Sequence, residues 1–346
     1  MQKSKGPVWL TAIALVIGLG TSTAFIPWDA GYAYFAPLPN TVQAEVENAS
    51  HHGMDGIIVY VDQAGRPPAF YAAGWKDRKA KIPANPHALF KIASISKLYI
   101  AAATAKLVNA KRLSLDDTLA HMLPELAGRI ENADKITLRM MLQHRSGIPN
   151  FIKDPRLKWD KTMTSTDMLN LVLDKPASFK PGSRYSYSNT NYLLIGMILD
   201  KTLGYSHHDY IKAEILTPLG LNHTYGRLSD VDPADVVSGY VIGYDGDMKS
   251  LDFVVPGGSM IATAQDVGVF LRALNDGSLL NANEQAIYSS IYVYEHTGLL
   301  PGYESIARYN RDIDTIVVQF VSTSGGNAWL KSEGVYDRIV RILRKQ

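Results

Sequence analysis

Cysteine is missing from all 346 residues. That absence excludes disulfides, thiolate metal sites, iron–sulfur ligation, a thiol nucleophile and a lipidated N-terminal cysteine. Covalent catalysis in this chain therefore has to use oxygen or nitrogen. A surplus of one charge is missing too: 35 Lys+Arg stand against 33 Asp+Glu, a net +2. That balance leaves no basic stripe to neutralise a nucleic-acid backbone, so nucleic acid is not an expected partner. Internal repeats and low-complexity tracts are also lacking. With 46% hydrophobic and 20% charged residues, the composition is neither disordered, collagen-like nor that of a polytopic membrane protein. What is present is enough chain for one large α/β enzyme, or for two compact domains sharing a cleft.

The chain opens with Lys3 and Lys5, followed by an uncharged run from Val8 to Ile26. Val8 to Leu19 has the length of a signal-peptide core, and Ser22-Thr23-Ala24 offers small residues for cleavage after Ala24. The whole run, bracketed by Trp9 and Trp28, also has the length of a membrane anchor. Either reading of residues 1–26 exports the body, to a periplasmic or other extracytoplasmic location, and the second attaches it to the membrane through residues 8–26. Residues 27–40 read as a proline-containing linker, with the folded body at 41–346.

Within the body, Thr41 to Ala49 has the pattern of a short helix. Gly56 to Val61 and Ala69 to Ala73 read as a β-hairpin, and Glu304 to Tyr309 with Thr315 to Val321 as a second strand pair. An amphipathic helix from Trp329 to Arg344 turns Tyr336, Ile339, Val340 and Leu343 inward. Between these flanks most of the chain has helical periodicity broken by Pro and Gly. The expected fold is therefore mixed α/β (α+β): a sheet built from both chain ends (about 41–93 and 250–346), flanked by helices, with a helical subdomain inserted at about 94–249.

Three short motifs carry chemistry. In Ser94-Ile95-Ser96-Lys97, the only Ser-x-x-Lys in the chain, serine and lysine share one helix face, so the amine reaches the hydroxyl and assists its deprotonation. The helix that follows is apolar nearly all round, which predicts burial and a depressed Lys97 pKa. In Tyr187-Ser188-Asn189, a phenol serves as base only if a cation such as Lys97 lowers its pKa. Asn189 fits a substrate carbonyl or the lysine, while a polar loop capping the next helix through Asn189 or Thr190 explains the same residues. His296-Thr297-Gly298 is read as the end of a strand at Ile291 to Glu295. Its glycine admits a substrate backbone, and the residue after it can offer an N–H to an oxyanion.

In this order the three motifs resemble the active-site set of the serine β-lactamase and penicillin-binding-protein superfamily. The pattern is most similar to the class C β-lactamase-like branch, which includes DD-carboxypeptidases, D-aminopeptidases and family VIII esterases and has Tyr-x-Asn as its second motif. Leu142 to Pro149 and Pro256 to Thr263 extend the resemblance, which runs from about Gly56 to the C-terminus. It implies a β-lactamase/transpeptidase-like fold, Ser94 as nucleophile, a base role shared by Lys97 and Tyr187, and Asn189 positioning Lys97 and the substrate amide. It further implies an oxyanion hole from the Ser94 and Leu299 N–H groups, with His296, Thr297 and Gly298 lining the substrate strand. The expected activity is acyl-enzyme hydrolysis of peptides of D-alanyl or D-amino-acid type, peptidoglycan peptides among them, or of esters. β-Lactam hydrolysis, or binding without catalysis, is the alternative.

The departure from that pattern is His296, where antibiotic-hydrolysing members carry lysine. An imidazole is only partly charged at neutral pH, which weakens recognition of a substrate carboxylate. Arg145 and Arg308 are the candidates to restore a cation. His51-His52 and His207-His208 lack a third ligand, adjacent helical positions being expected to point apart, so neither a metal nor any other cofactor is expected. His144 reads as structural.

Overall fold

The computed structural model describes residues 36–346. The expected signal or anchor segment at 8–26 and most of the linker lie outside the described residues. Among the described residues no helix is long and apolar enough to cross a membrane.

The frame is a six-stranded sheet. Its strands are β1 (Gly56–Gln63), β2 (Ala69–Asp77), β3 (Ile82–Pro83), β4 (His296–Leu300), β5 (Tyr303–Asn310) and β6 (Thr315–Val321), in the spatial order β3-β2-β1-β6-β5-β4. All neighbours run antiparallel. The seam between the two chain ends is β1 against β6, with Ile57 opposite Val321 and Gln63 opposite Thr315. Both strands are apolar and β-branched, which suits a pleated surface buried on two sides. On β1, Ile58 and Tyr60 enter the large core, while Ile57, Val59 and Val61 enter a smaller core on the opposite face.

That smaller core lies under helix α1 (Val42–His51) and the C-terminal helix α6 (Ala328–Leu343), with Val46, Tyr336 and Ile339 in one apolar cluster. A buried ion pair ties the two helices: Arg338 donates from Nε and Nη2 to the two Glu45 oxygens at 2.7 and 2.9 Å. Planar, two-pronged pairing of this kind satisfies charges that would be costly if buried alone.

The large core surrounds α2 (Ser96–Asn109), in which every residue from Ser96 to Ala105 is buried, as its all-round apolar pattern predicts. Around it stand α3 (Asn189–Leu203), α4 (Ala264–Asp276) and α5 (Ala282–Ile291). The ring of Tyr99 on α2 stacks on Phe270 of α4 with centroids 3.7 Å apart.

The stretch read as a strand at Ile291 to Glu295 is not one. A capping box between Asn281 and Glu284 starts α5, which runs on to Ile291 with Tyr288 and Ile291 buried. The edge strand β4 begins only at His296. A short run of Ile, Tyr and Val has no fixed preference, and here its first residue ends the helix set by the upstream cap while residues 292–295 form the connection to β4.

Candidate active site

Ser94 lies in a 3-10 turn, Ala93–Ile95, that feeds directly into α2. Ala93 has φ of 50°, in the left-handed region that alanine enters only at a cost of about 1 kcal/mol. Two contacts hold that turn: Ser96 Oγ donates to the Ala93 carbonyl at 2.6 Å and accepts the Met260 N–H at 3.3 Å. Within residues 91–100, Ser94 alone is not fully buried.

One turn further on, Lys97 is completely buried. Its Nζ lies 3.0 Å from Ser94 Oγ, 2.9 Å from Asn189 Oδ1 and 2.7 Å from the Gly257 carbonyl. Burial pushes the Lys97 pKa down to about 7. The neutral amine keeps two N–H donors, which the Asn189 and Gly257 oxygens accept, and one lone pair, which is left for the Ser94 hydroxyl proton. Gly257 permits this contact: a Cβ there would lie 2.7 Å from Tyr192 Cβ and 3.0 Å from Lys97 Cγ.

From the other side, Tyr187 Oη donates to Ser94 Oγ at 2.9 Å. The sequence pattern predicted a phenol acidified by Lys97, but burial holds the Tyr187 pKa well above the usual phenol value. A desolvated, partly neutral lysine has little charge to offer it. Tyr187 is thus a protonated donor, and Ser94 Oγ can accept from Tyr187 while giving its own proton to Lys97.

The Tyr-Ser-Asn turn starts α3 without the side-chain cap offered as its alternative explanation. Asn189 turns to Lys97, and Thr190 donates to the Pro149 carbonyl at 2.7 Å. Asn150 staples the turn, its Oδ1 accepting the Asn189 N–H at 3.2 Å and its Nδ2 donating to the Tyr187 carbonyl at 3.4 Å. Asn150, Gly257 and Ala93 were not singled out as site residues from sequence, although the Gly257-Gly258 pair is a signal of close backbone approach.

β4 passes beside the Ser94 turn. A Cβ on Gly298 would lie 2.3 Å from Ser305 Oγ, 2.5 Å from the Ile92 carbonyl and 2.8 Å from Ala93 Cβ. Only glycine lets the strand come this close, which brings Thr297 and the exposed Leu299 to the edge next to Ser94.

His296, at the start of β4, supplies no charge. Its Nδ1 donates to the Thr297 carbonyl and its Nε2 therefore accepts from Tyr292 Oη at 2.8 Å. Burial, and secondarily the Lys97 charge, push its pKa down to about 4, so it is neutral at pH 7. Arg308 does not replace the cation, because it forms a two-pronged pair with Glu333 at 2.8 Å, while Arg145 donates to the Gly182 carbonyl at 2.8 Å.

His144 accepts the Ser188 N–H on Nδ1 at 3.2 Å and packs 4.4 Å from the Tyr187 ring, in line with a structural role. His207 and His208, expected to point apart, instead stack with centroids 4.1 Å apart, and His207 Nδ1 donates to Asp200 at 2.7 Å. Among the described residues no group of three or more His, Asp or Glu could hold a metal ion.

Set against known proteins, residues 39–290 match the family model described as Beta-lactamase. The chain is 29% identical to penicillin-binding protein 4* of Bacillus subtilis over 209 residues, which is 59% of this chain and 45% of that protein. It spans less than half the length of the curated relatives it matches. Its fold is similar to D-amino acid amidase from Ochrobactrum anthropi SV3, with TM-score 0.78, 23% identity and coverage of 89% of this chain and 99% of that one. It is also similar to a penicillin binding protein from Bacillus halodurans, with TM-score 0.74, 22% identity and coverage of 88% and 99%.

Proposed function

Because this chain belongs to the beta-lactamase family of serine hydrolases, we propose that it hydrolyses neutral amides or esters, of D-amino-acid type among the amides, through an acyl-enzyme on Ser94. The observation that carries this reading is the double approach to one oxygen: Lys97 Nζ at 3.0 Å and Tyr187 Oη at 2.9 Å from Ser94 Oγ.

In acylation, Lys97 takes the Ser94 proton as Oγ bonds to the substrate carbonyl carbon. The carbonyl oxygen becomes an oxyanion held by the Ser94 and Leu299 N–H groups. When the bond to the leaving atom breaks, that atom takes a proton from Tyr187, and the proton held by Lys97 restores the phenol. Water then attacks the acyl-Ser94 ester with the same pair moving its proton, and Ser94 leaves with its hydroxyl restored.

The neutral His296 favours amides and esters over substrates that must be held by a carboxylate, and it ranks β-lactam hydrolysis behind them. Export through residues 8–26, with catalysis outside the cytoplasm, belongs to the same proposal; fractionation of the producing cell with N-terminal sequencing of the recovered protein tests it.

The test of the chemistry is intact-protein mass after exposure to an acylating ester and, in parallel, to a penicillin, with Ser94→Ala alongside. A Ser94-dependent acyl adduct or Ser94-dependent ester turnover is the expected result. If wild type and Ser94→Ala behave alike towards ester and amide panels, the hydrolase reading is abandoned. Rapid Ser94-dependent loss of the penicillin would put β-lactam hydrolysis first.

A further inference from the structure

A groove of about 320 Å³ opens beside the catalytic pair, between residues 142–144, the end of α5 and the start of β4. Tyr187 and His296 line it, together with His144, Tyr185 and Tyr292. No Lys, Arg, Asp or Glu lines it. His144, like His296, is neutral, its pKa pushed down to about 3 by burial and then by Lys97.

The rings form one continuous surface. His144 lies 4.4 Å from Tyr187, Tyr187 lies 6.5 Å from His296, and His296 stacks on Tyr292 at 5.8 Å with 18° between planes. Two of its polar groups are already engaged: Tyr292 Oη is spent on His296, and His296 Nδ1 on its own strand; His144 Nε2 has no partner but is buried away from the groove surface. Arg139, which donates to Ser290 Oγ at 3.3 Å, is not among the lining residues and is itself paired with Asp116 at 3.4 Å.

The position of this groove relative to the chemistry decides which part of a substrate it receives. The leaving atom needs a proton, and Lys97 has no exposed surface and three partners already. Tyr187 is then the group that delivers it, so the leaving atom must come within hydrogen-bond distance of Tyr187 Oη. Whatever is bonded to that atom continues past Tyr187 into the groove that Tyr187 walls.

We propose that this groove is the leaving-group site and that it selects an uncharged aromatic leaving group, an aryl-bearing alcohol in the first instance, against one carrying a carboxylate. Stacking on the Tyr and His faces rewards a flat ring, whereas a carboxylate brought into the groove would lose water and find no cation. The inference rests on the acyl-Ser94 reading above and deepens it by naming the substrate class.

The experiment measures kcat/KM for methyl, benzyl and 4-carboxybenzyl acetate. Acetyl is a small acyl group and asks little of the acyl side, and the three alcohols are of similar intrinsic leaving ability. Benzyl is expected to exceed methyl by about tenfold, and 4-carboxybenzyl to fall at least about tenfold below benzyl. Ser289→Trp, which fills the exposed rim of the groove, should reduce the benzyl-to-methyl ratio towards one. Labelling of Ser94 by a fluorophosphonate is run on both proteins to report the nucleophile independently of the groove. If Ser94 labels but benzyl has no advantage, or 4-carboxybenzyl matches it, the groove assignment is wrong while the hydrolase reading stands. If Ser94 does not label in the wild type, the hydrolase reading fails and the groove assignment falls with it.

Discussion

Lys97 Nζ stands 3.0 Å from Ser94 Oγ, with the amine's remaining partners, Asn189 Oδ1 and the Gly257 carbonyl, both able only to accept from it. Two fixed acceptors orient a neutral amine so that its lone pair faces the serine. Burial then makes that neutral form available near pH 7. Orientation comes from one set of neighbours and proton affinity from another cause, so the two can be perturbed separately.

Lys97→Ala should lower kcat/KM for ester hydrolysis by about 10²–10⁴, the usual contribution of a positioned base, while the circular dichroism spectrum stays that of the wild type. Retention of activity within a few-fold would remove Lys97 from the chemistry.

The pH profile follows from the same residue. Its folded pKa is depressed to about 7, so the base form is populated above that pH and lost below it. The expected kcat/KM rises about tenfold per pH unit up to a midpoint near 7 and then levels. A profile flat from pH 5.5 to 8.5 would contradict a lysine base.

His296→Lys places a fixed cation where the wild type has a neutral ring. It should raise kcat/KM for carboxylate-bearing substrates relative to neutral esters, and move the midpoint of the pH profile down, because a second ammonium disfavours protonation of Lys97. Rates with the two substrate types, measured in one buffer series, check both effects; an unchanged ratio would show that position 296 does not face the substrate carboxylate.

Glu304, opposite Leu299 on β5, is buried and neither of its carboxyl oxygens has a hydrogen-bond partner. Burial, with Glu333 adding to it, pushes its pKa up to about 8. A carboxyl raised in the folded state contributes nothing adverse below its unfolded pKa and costs stability progressively as pH rises from about 4.5 to 8. Glu304→Met should therefore raise the unfolding temperature by a few degrees at pH 8.5 and little at pH 4.5. Lower stability than wild type at pH 8.5 would mean the carboxylate is stabilised after all.

Gly298→Ala tests the approach of β4. The added Cβ meets the Ile92 carbonyl and Ala93, so the strand must move away from the nucleophile turn and with it the Leu299 N–H. A loss of about 10² in kcat is expected, the scale of removing one oxyanion donor. Wild-type kcat with this substitution would detach β4 from the oxyanion site.

Much of this was legible in the sequence because each signal is local. The short β-branched run in Gly56 to Val61, the apolar wrap of Ser96 to Leu107 and the i, i+3 spacing of Ser94 and Lys97 need no knowledge of distant contacts. The depressed Lys97 pKa followed from that wrap alone. What was misread depends on neighbours far along the chain. Tyr187 was expected to be acidified by Lys97, but the burial that strips the lysine of charge raises the phenol as well. The Ile291 to Glu295 run has strand composition, but Ile291 closes the helix that the capping box ten residues upstream begins, and the rest is the connection to β4. Asn150 and Gly257 act through a side-chain amide and a carbonyl brought in from loops, and no spacing rule connects them to Ser94.

The seam between β1 and β6 has a consequence for the order in which the molecule comes into being. A ribosome delivers the Ser-x-x-Lys turn and Tyr187 long before Thr315 to Val321, the strand that β1 needs as its partner. Until then β5, and β4 hydrogen-bonded to it, have no sheet to join. The growing chain thus holds nucleophile and base with no oxyanion edge beside them, and hydrolytic competence arrives with the last strands to be synthesised. Such long-range closure is slow, and an unfinished chain lacks the complete site that the acyl-Ser94 proposal requires.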